Sequence, residues 1–311
     1  MAEPVAFCAM AIESVLGWPA CLHRRLGHPV GLFARLIGAC DRRFNRSQDS
    51  DSRRRLGGIV TVCVLLAFAG GGAWLIEQAV RQVAGAWAWP ILCLLAWPAM
   101  AARSLDDHVR PILRALQEGD LQSAREAVGR IVGRDTAALD ETGVARAAIE
   151  SLSESFCDGV VAPLFWLLVL GLPGVWAYKA LNTADSTIGH REMPYTHFGW
   201  AAARSDDLAN ILPARLSAVL LCAVAMTGWG TLWRDHARHA SPNAGWPEAA
   251  MAGALSVRLA GPIAYDGVLA DKPWIGQGDE ADAATLAGAL KIYRRACALL
   301  GAIVLGAAWL V

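Results

Sequence analysis

Three segments in the middle of the chain gather residue types that could handle phosphate and a metal ion. Arg146, Glu150, Glu154 and Asp158 recur at steps of four, which on a helix stacks three carboxylates and one guanidinium along one face. Like charges so placed repel one another and want a cation among them. Asn182, Asp185 and Ser186 repeat the idea at i, i+3 and i+4, and Arg204, Asp206, Asp207 and Asn210 do so again. Carboxylates with amides suit Mg²⁺, while Arg191, Arg204, Arg215 and Lys179 suit phosphate. An ordinary salt bridge explains any one of these acids, but three acid-bearing segments inside residues 145–215 of so apolar a chain point to a site. His28, His190 and His197 are weaker signals, because a histidine near a helix end is usually a satisfied polar residue.

The common nucleotide, hydrolase and zinc solutions find no support. There is no Gly-x-x-x-x-Gly-Lys-Ser/Thr loop, no Gly-x-Gly-x-x-Gly after a strand, no Gly-x-Ser-x-Gly elbow and no His-Glu-x-x-His. The eight cysteines are scattered singly and read as small buried apolar residues.

What must position these groups is a membrane scaffold. The chain is 55% hydrophobic with 13 Trp and 18% charged residues, and its mean hydropathy is +0.36, which together indicate an all-α integral membrane protein. Zero net charge gives no sign of a nucleic-acid partner. Of the 28 basic residues only Lys179, Lys272 and Lys291 are lysines, so Lys179, within the dense region, is either a snorkelling helix-end residue or part of a site. The first residues carry Glu3 and Glu13 without a basic run, so a cleaved signal peptide is not expected.

Five apolar stretches predict four to five membrane helices. Leu56–Val80 and Ala86–Ala102 form a hairpin; Gly159–Leu181, Ile211–Trp233 and Ala296–Val311 follow. Residues 21–55 hold nine arginines, and the positive-inside bias places them in the cytoplasm. Residues 103–150 read as an amphipathic helical insertion, soluble and cytoplasmic, capped at Asp120 and Asp135/Thr136. The third stretch is interrupted by Gly171-Leu-Pro-Gly174: if it crosses fully, residues 182–210 lie outside the cell, and if it is a re-entrant hairpin bent there, they lie in the cytoplasm. The small residues at 249, 250, 252, 253 and 254 suit close helix packing, and Asn243–Gly245 suits an anion-binding turn.

Several long strings resemble the membrane proteins of cobalamin biosynthesis called CobD or CbiB, adenosylcobinamide-phosphate synthases. They are GHPVGLFARLIGACDRR (27–43), AREAVGRIVGRDTAALD (124–140), the 145–215 block and SPNAGWPEAAMAGALSVRLAGPIAYDGV (241–268), in the family's order and over nearly the whole chain. Some neutral positions depart from the family's pattern. Glu-Ser-Leu-Ala-Glu-Asn appears as Glu150-Ser-Leu-Ser-Glu154-Ser155, Asn-Thr-Leu-Asp-Ser-Met as Asn182-Thr-Ala-Asp185-Ser186-Thr187, and Ala-Arg-Leu-Asp-Asp as Ala203-Arg204-Ser-Asp206-Asp207. Near the start, Leu-Gly-Asp-Pro has become Leu16-Gly17-Trp18-Pro19, which removes one acid.

The resemblance implies a single polytopic domain over residues 1–311, in a bacterial inner membrane. It implies ATP-dependent amide ligation between adenosylcobyric acid and (R)-1-aminopropan-2-ol or its O-phosphate, with ATP and Mg²⁺ required. Together with the residue reading it nominates Glu150, Glu154, Asp158, Lys179 and Asp185 as catalytic. His28, Asn182, Arg191, Arg204, Asn210, Arg215 and Asn243 would bind substrate or phosphate, and Asp185, Asp206 and Asp207 would hold the metal. The lipid bilayer and the two substrates are the implied partners, and a homo-oligomer or other corrinoid-pathway membrane enzymes are compatible with it. The rival readings are an AmpE-like membrane sensor, which would not need the Asp185 and Asp206–Asp207 clusters, and a small-molecule transporter, which would be supported by inverted repeats that the sequence lacks.

Overall fold

The computed structural model describes residues 4–133, 135–190, 192–265, 268–270 and 272–310. In chain order the first helices are α1 (Val5–Leu16), α2 (Ala20–Leu26), α3 (Val30–Phe44), α4 (Asp51–Leu66), α5 (Gly72–Ala84) and α6 (Ala88–Ala96). Then come α7 (Ala102–Gln117), α8 (Leu121–Val128), α9 (Glu141–Phe156), α10 (Ala162–Ile188), α11 (Tyr195–Phe198) and α12 (Trp200–Ala209). The chain continues with α13 (Ile211–Ala225), α14 (Trp229–Asp235), α15 (Gly245–Leu255), four short strands and α16 (Ala283–Leu310). The strands β1 (Leu259–Ala260), β2 (Ile263–Tyr265), β3 (Val268–Ala270) and β4 (Trp274–Ile275) make two antiparallel pairs, β1 with β4 and β2 with β3.

These elements form two compact units with interleaved segments. The first comprises residues 1–101, 162–210 and 304–311; the second comprises 102–161 and 211–303. Within the second unit α7, α8 and α9, which hold the segment expected as an insertion at 103–150, pack on one another. In α7 the buried Val109, Ile112, Ala115 and Leu116 recur at helical spacing, and the charges lie on the other face. Asp120 caps α8 by accepting the Ser123 N–H at 3.0 Å, as the sequence predicts. The next cap is Asp140, which accepts the Gly143 N–H at 2.7 Å. Asp135 instead accepts the Ala137 N–H in a turn at 2.9 Å, because α9 starts only at Glu141.

Among the described residues two helical runs, Asp51–Gln117 and Glu141–Ile188, are long and apolar enough to cross a membrane, and up to four if the bent pairs α1 with α2–α3 and α12 with α13 each count as one span. The expected hairpin turns at Gly85, whose φ of 53° breaks the helix between α5 and α6. One apolar helix lies outside the five expected stretches. The N-terminal α1, packed on α6, adds an apolar helix that the reading passed over. The expected stretch Ala296–Val311 falls in the C-terminal part of α16 and ends outside the described residues; Lys291, Arg294 and Arg295 precede or open it in the same helix, and Arg294 bonds Asp106 of α7 at 2.6 Å. Wide π-turns interrupt both long runs, at Ala67–Gly71 and Cys157–Val161. Leu168, Val169 and Leu170 are more than half exposed (54–56%), as lipid-facing side chains would be.

The break in α10 falls where glycine and proline announce it. Gly171 takes φ 67°, ψ −153°, a conformation that side chains with a Cβ resist, and Pro173 has no N–H to continue the ladder. The freed Leu172 N–H is satisfied by Glu77 of α5, whose Oε2 accepts it at 3.0 Å. Glu77 also pairs with Arg81 at 2.8 Å. A Cβ at position 171 would stand 2.9 Å from Glu77 Oε2, so the carboxylate and the glycine require each other.

If this break returns the chain to the side it came from, residues 182–210 face the cytoplasm. Single cysteines at Ser186 and Ser205, in a background without the eight native ones, are then expected to resist an impermeant thiol reagent on intact cells and to react after lysis. Labelling from outside would eliminate the re-entrant topology.

Candidate functional site

In the first unit, Tyr178, Lys179, Asn182 and Asp185 occupy successive turns of α10 beyond the Gly171 break. Tyr178 is buried, and its hydroxyl donates to Asn210 Oδ1 at 3.0 Å. Asn210 Nδ2 in turn donates to Asp206 Oδ2 at 2.9 Å. The resulting Tyr–Asn–Asp chain orients the carboxylate of Asp206, only 8% exposed, from the inside of α12. Asp207 turns the other way and pairs with Arg204 at 3.3 Å. The Asp185 carboxylate folds over the end of its own helix: a Cβ at Gly189 would lie 2.1 Å from Asp185 Oδ1, so only glycine fits beneath it. His28, in the turn before α3, accepts the Val30 N–H at Nδ1 (3.3 Å), stacks edge-on to Trp18 and lies within the field of Lys179. Arg191 lies outside the described residues.

In the second unit, Arg146, Glu150 and Glu154 do share the four-residue ladder of α9, but their surroundings differ. Glu150 Oε1 accepts the backbone N–H of Ala260 at 2.8 Å and so anchors β1. Arg146 approaches the same oxygen at 3.9 Å while its guanidinium lies 5.1 Å from the Trp274 ring centre, with Arg258 at 4.9 Å from that ring. Asp158 follows in the wide π-turn, half-buried.

One turn above Glu150, Glu154 meets two residues that the sequence reading did not select. The Glu154 and Glu248 carboxylates and the His239 ring each offer an atom within 4.8 Å of the others. Glu248, in the first turn of α15, is 3% exposed. His239 Nε2 stands 3.8 Å from Glu248 Oε1, and its Nδ1 accepts the Ser241 N–H at 2.9 Å. Beside them, Arg215 of α13 donates to Asn243 Oδ1 at 3.0 Å and lies 4.6 Å from the Trp246 ring centre. The backbone N–H groups of Asn243 and Ala244 both donate to Ser241 Oγ, at 3.2 and 3.3 Å. The Asn243–Gly245 turn therefore spends those donors internally, which leaves the Arg215 and Asn243 side chains, not its backbone, to meet an anion.

The loop carrying His239 is held from below by Asp235, which is fully buried. It accepts from Arg234 at 2.7 Å, from Arg238 at 3.2 Å and from the Gly276 N–H at 3.0 Å. The Arg234 hydrogen bond, aided by the other donors, holds its carboxyl below the usual carboxylate range in spite of burial.

Among the described residues, the group with metal-ligand proximity is Glu154–His239–Glu248, and Asp185, Asp206 and Asp207 do not form one. A profile of the family described as CobD/Cbib protein matches residues 6–293. The chain belongs to the CobD/CbiB family. Among curated relatives, a "Cobalamin biosynthesis protein CobD" from Rhodobacter capsulatus is 47% identical over 297 residues, covering 93% of this chain and 92% of that protein. One of the same name from Sinorhizobium sp is 45% identical over 311 residues, covering 96% of each chain. Another, from Brucella suis biovar 1 (strain 1330), is 40% identical over 316 residues, covering 96% and 94%. No solved structure matches.

The CobD/CbiB match takes in every candidate site residue named above, and it makes the protein part of cobalamin biosynthesis. It also sets the isolated signals in context. Glu77 is a single acid deep in an apolar hairpin, and Glu248 a single acid in a run of alanines; each is the kind of membrane-protein acid that calls for a reason.

Proposed function

We propose that the protein is an adenosylcobinamide-phosphate synthase, an ATP-dependent carbon–nitrogen ligase of the bacterial inner membrane. It joins the free propionate carboxylate of adenosylcobyric acid to (R)-1-aminopropan-2-ol O-phosphate or to the free amino alcohol. The observation that carries this reading is the family match from residue 6 to residue 293, which contains all the acidic segments. A carboxylate does not accept an amine until it carries a leaving group, and ATP supplies one most simply as an acyl phosphate. The phosphates of ATP and the developing charge on them call for Mg²⁺ and fixed cations.

Mg²⁺ is usually held by one or two carboxylates together with phosphate oxygens and water. Asp206, oriented by Asn210 and Tyr178, is the carboxylate offered for that need, while Asp207 turns the other way and is paired with Arg204. Asp185 is a further candidate ligand, from the end of α10. Bound there, Mg²⁺ would offset phosphate charge during acyl activation. Lys179 adds positive charge on the same unit.

The purified protein in lipid is expected to consume ATP in the presence of a cobyric-acid-type carboxylate, and to release a corrinoid amide when the amine is supplied. Mass spectrometry of the corrinoid product compares the amine with its phosphate directly. The phosphorylated amine is the expected substrate, because the arginines at 191, 204 and 215 offer more guanidinium than one triphosphate requires. Preference for the free amine would refute that argument but retain the ligase. No amide with either amine, from protein shown to be folded, would refute the ligase.

A further inference from the structure

We infer that the second unit holds the amine substrate by both of its ends: the ammonium among Glu154, His239 and Glu248, the phosphate at Arg215 and Asn243. This deepens the ligase reading and rests on it. The geometry supplies two poles on one short loop. His239 begins the loop and Asn243 nearly ends it, and Glu248 follows in the first turn of α15. Arg215 reaches the Asn243 side chain from α13, while Glu154 comes from α9. A small zwitterion with a positive and a negative end matches, in charge, a loop that carries acids at one group and a guanidinium at the other.

The identity of the cation follows from the histidine. Because Nδ1 accepts the Ser241 N–H, the proton of the neutral ring is assigned to Nε2, the nitrogen that faces Glu248. Coordination of a metal through Nε2 requires a lone pair there and the proton on Nδ1, where it would meet the Ser241 N–H head-on. The histidine is therefore not set to hold a metal; its Nε2–H faces Glu248, and an ammonium would be received by the Glu154 and Glu248 carboxylates beside it. Two carboxylates this close repel, and an ammonium among them offsets that repulsion while making charge-assisted hydrogen bonds.

This placement also gives the reaction its base. The ammonium passes one proton to a Glu154 or Glu248 oxygen, which frees the nitrogen lone pair. The new C–N bond forms as that pair attacks the acyl carbon, the C–O bond to phosphate breaks with its electrons going to the departing phosphate, and the second nitrogen proton leaves with that phosphate. The carboxylic acid then returns its proton to water.

Equilibrium binding to the full chain in lipid nanodiscs, without ATP or corrinoid, tests the assignment. The probes are 1-aminopropan-2-ol O-phosphate, propan-2-yl phosphate, which lacks the ammonium, and 1-aminopropan-2-ol, which lacks the phosphate. The two-ended probe is expected to bind at least tenfold more tightly than either fragment. Glu248→Gln should remove that advantage without changing the affinity for propan-2-yl phosphate, and Arg215→Gln should weaken both phosphate-bearing probes but not the free amine. Glu154→Gln, at a half-buried position, gives the same test if the Glu248 variant fails to fold. Unchanged affinity for the two-ended probe in a folded glutamate variant overturns the inference, as does Mn²⁺ binding that these glutamates control while the amine does not compete. Tight, glutamate-dependent binding in a protein that makes no corrinoid amide would sustain the site and refute the ligase.

Discussion

Replacing Asp206 with asparagine is expected to lower ligation by at least about a hundredfold, the scale on which one preorganised electrostatic contact acts in an active site. The change keeps size and the hydrogen-bonding oxygen, so Asn210 retains an acceptor and Tyr178 keeps its place at 3.0 Å from Asn210. What disappears is the negative charge that would hold Mg²⁺ against phosphate. Tyr178→Phe provides the comparison: it removes only the far end of the chain, so its effect should be smaller. Expression, membrane insertion and thermal unfolding of the Asp206 variant should match the parent protein. Full ligation by a folded Asp206→Asn protein would remove this carboxylate from the site.

Glu77→Ala is expected to be the most damaging single change to the first unit. It leaves the Leu172 N–H without its acceptor inside a break that Gly171 has already opened. An unsatisfied buried donor costs about 1–3 kcal/mol. Loss of the Arg81 partner adds less, because that side chain is 39% exposed and can find other partners. Glu77→Gln, which still offers an oxygen to Leu172, should recover much of the loss. Gly171→Ala should be destabilised independently, by about 1–3 kcal/mol for a backbone conformation that is essentially glycine's alone, and further by the 2.9 Å approach of its Cβ to Glu77. Thermal unfolding in one detergent ranks the three variants. Equal stability of Glu77→Ala and the parent would show that the break does not depend on this acid.

Much of the first unit was legible because apolar runs and breakers are local signals. The hairpin turn at Gly85 and the interruption at Gly171 follow from residue type and spacing. The acids of α9, α10 and α12 were legible as candidates for the same reason, since charges in an apolar chain stand out. Their partners were not. Tyr178 looks like one more aromatic in a membrane helix, and only the packing of α10 on α12 turns it into the support of Asn210. His239 and Glu248 lie 85 and 94 positions beyond Glu154 in the chain, so no periodicity could join them. Asp135 and Thr136 looked like a helix cap because Asp and Thr often are caps, yet the chain makes a further turn before Asp140 takes that role. Hydropathy measures a stretch one residue at a time, so it does not show that α16 carries three basic side chains ahead of its apolar end and binds Asp106 through one of them.

The wide turn at Cys157–Val161 bears on how the acids of α9 should be counted. A helix that repeats every 3.6 residues returns to nearly the same face after four, and so Arg146, Glu150 and Glu154 line up. A π-turn closes its hydrogen bonds over five residues and holds one residue more than its neighbours do. Asp158, its second residue, is therefore out of phase with the other three, and a ruler marked in fours measures this part of the helix wrongly. Removing one residue inside that turn would restore the regular winding while leaving the flanking faces in step. The same deletion a turn earlier would swing everything after it by about 100°.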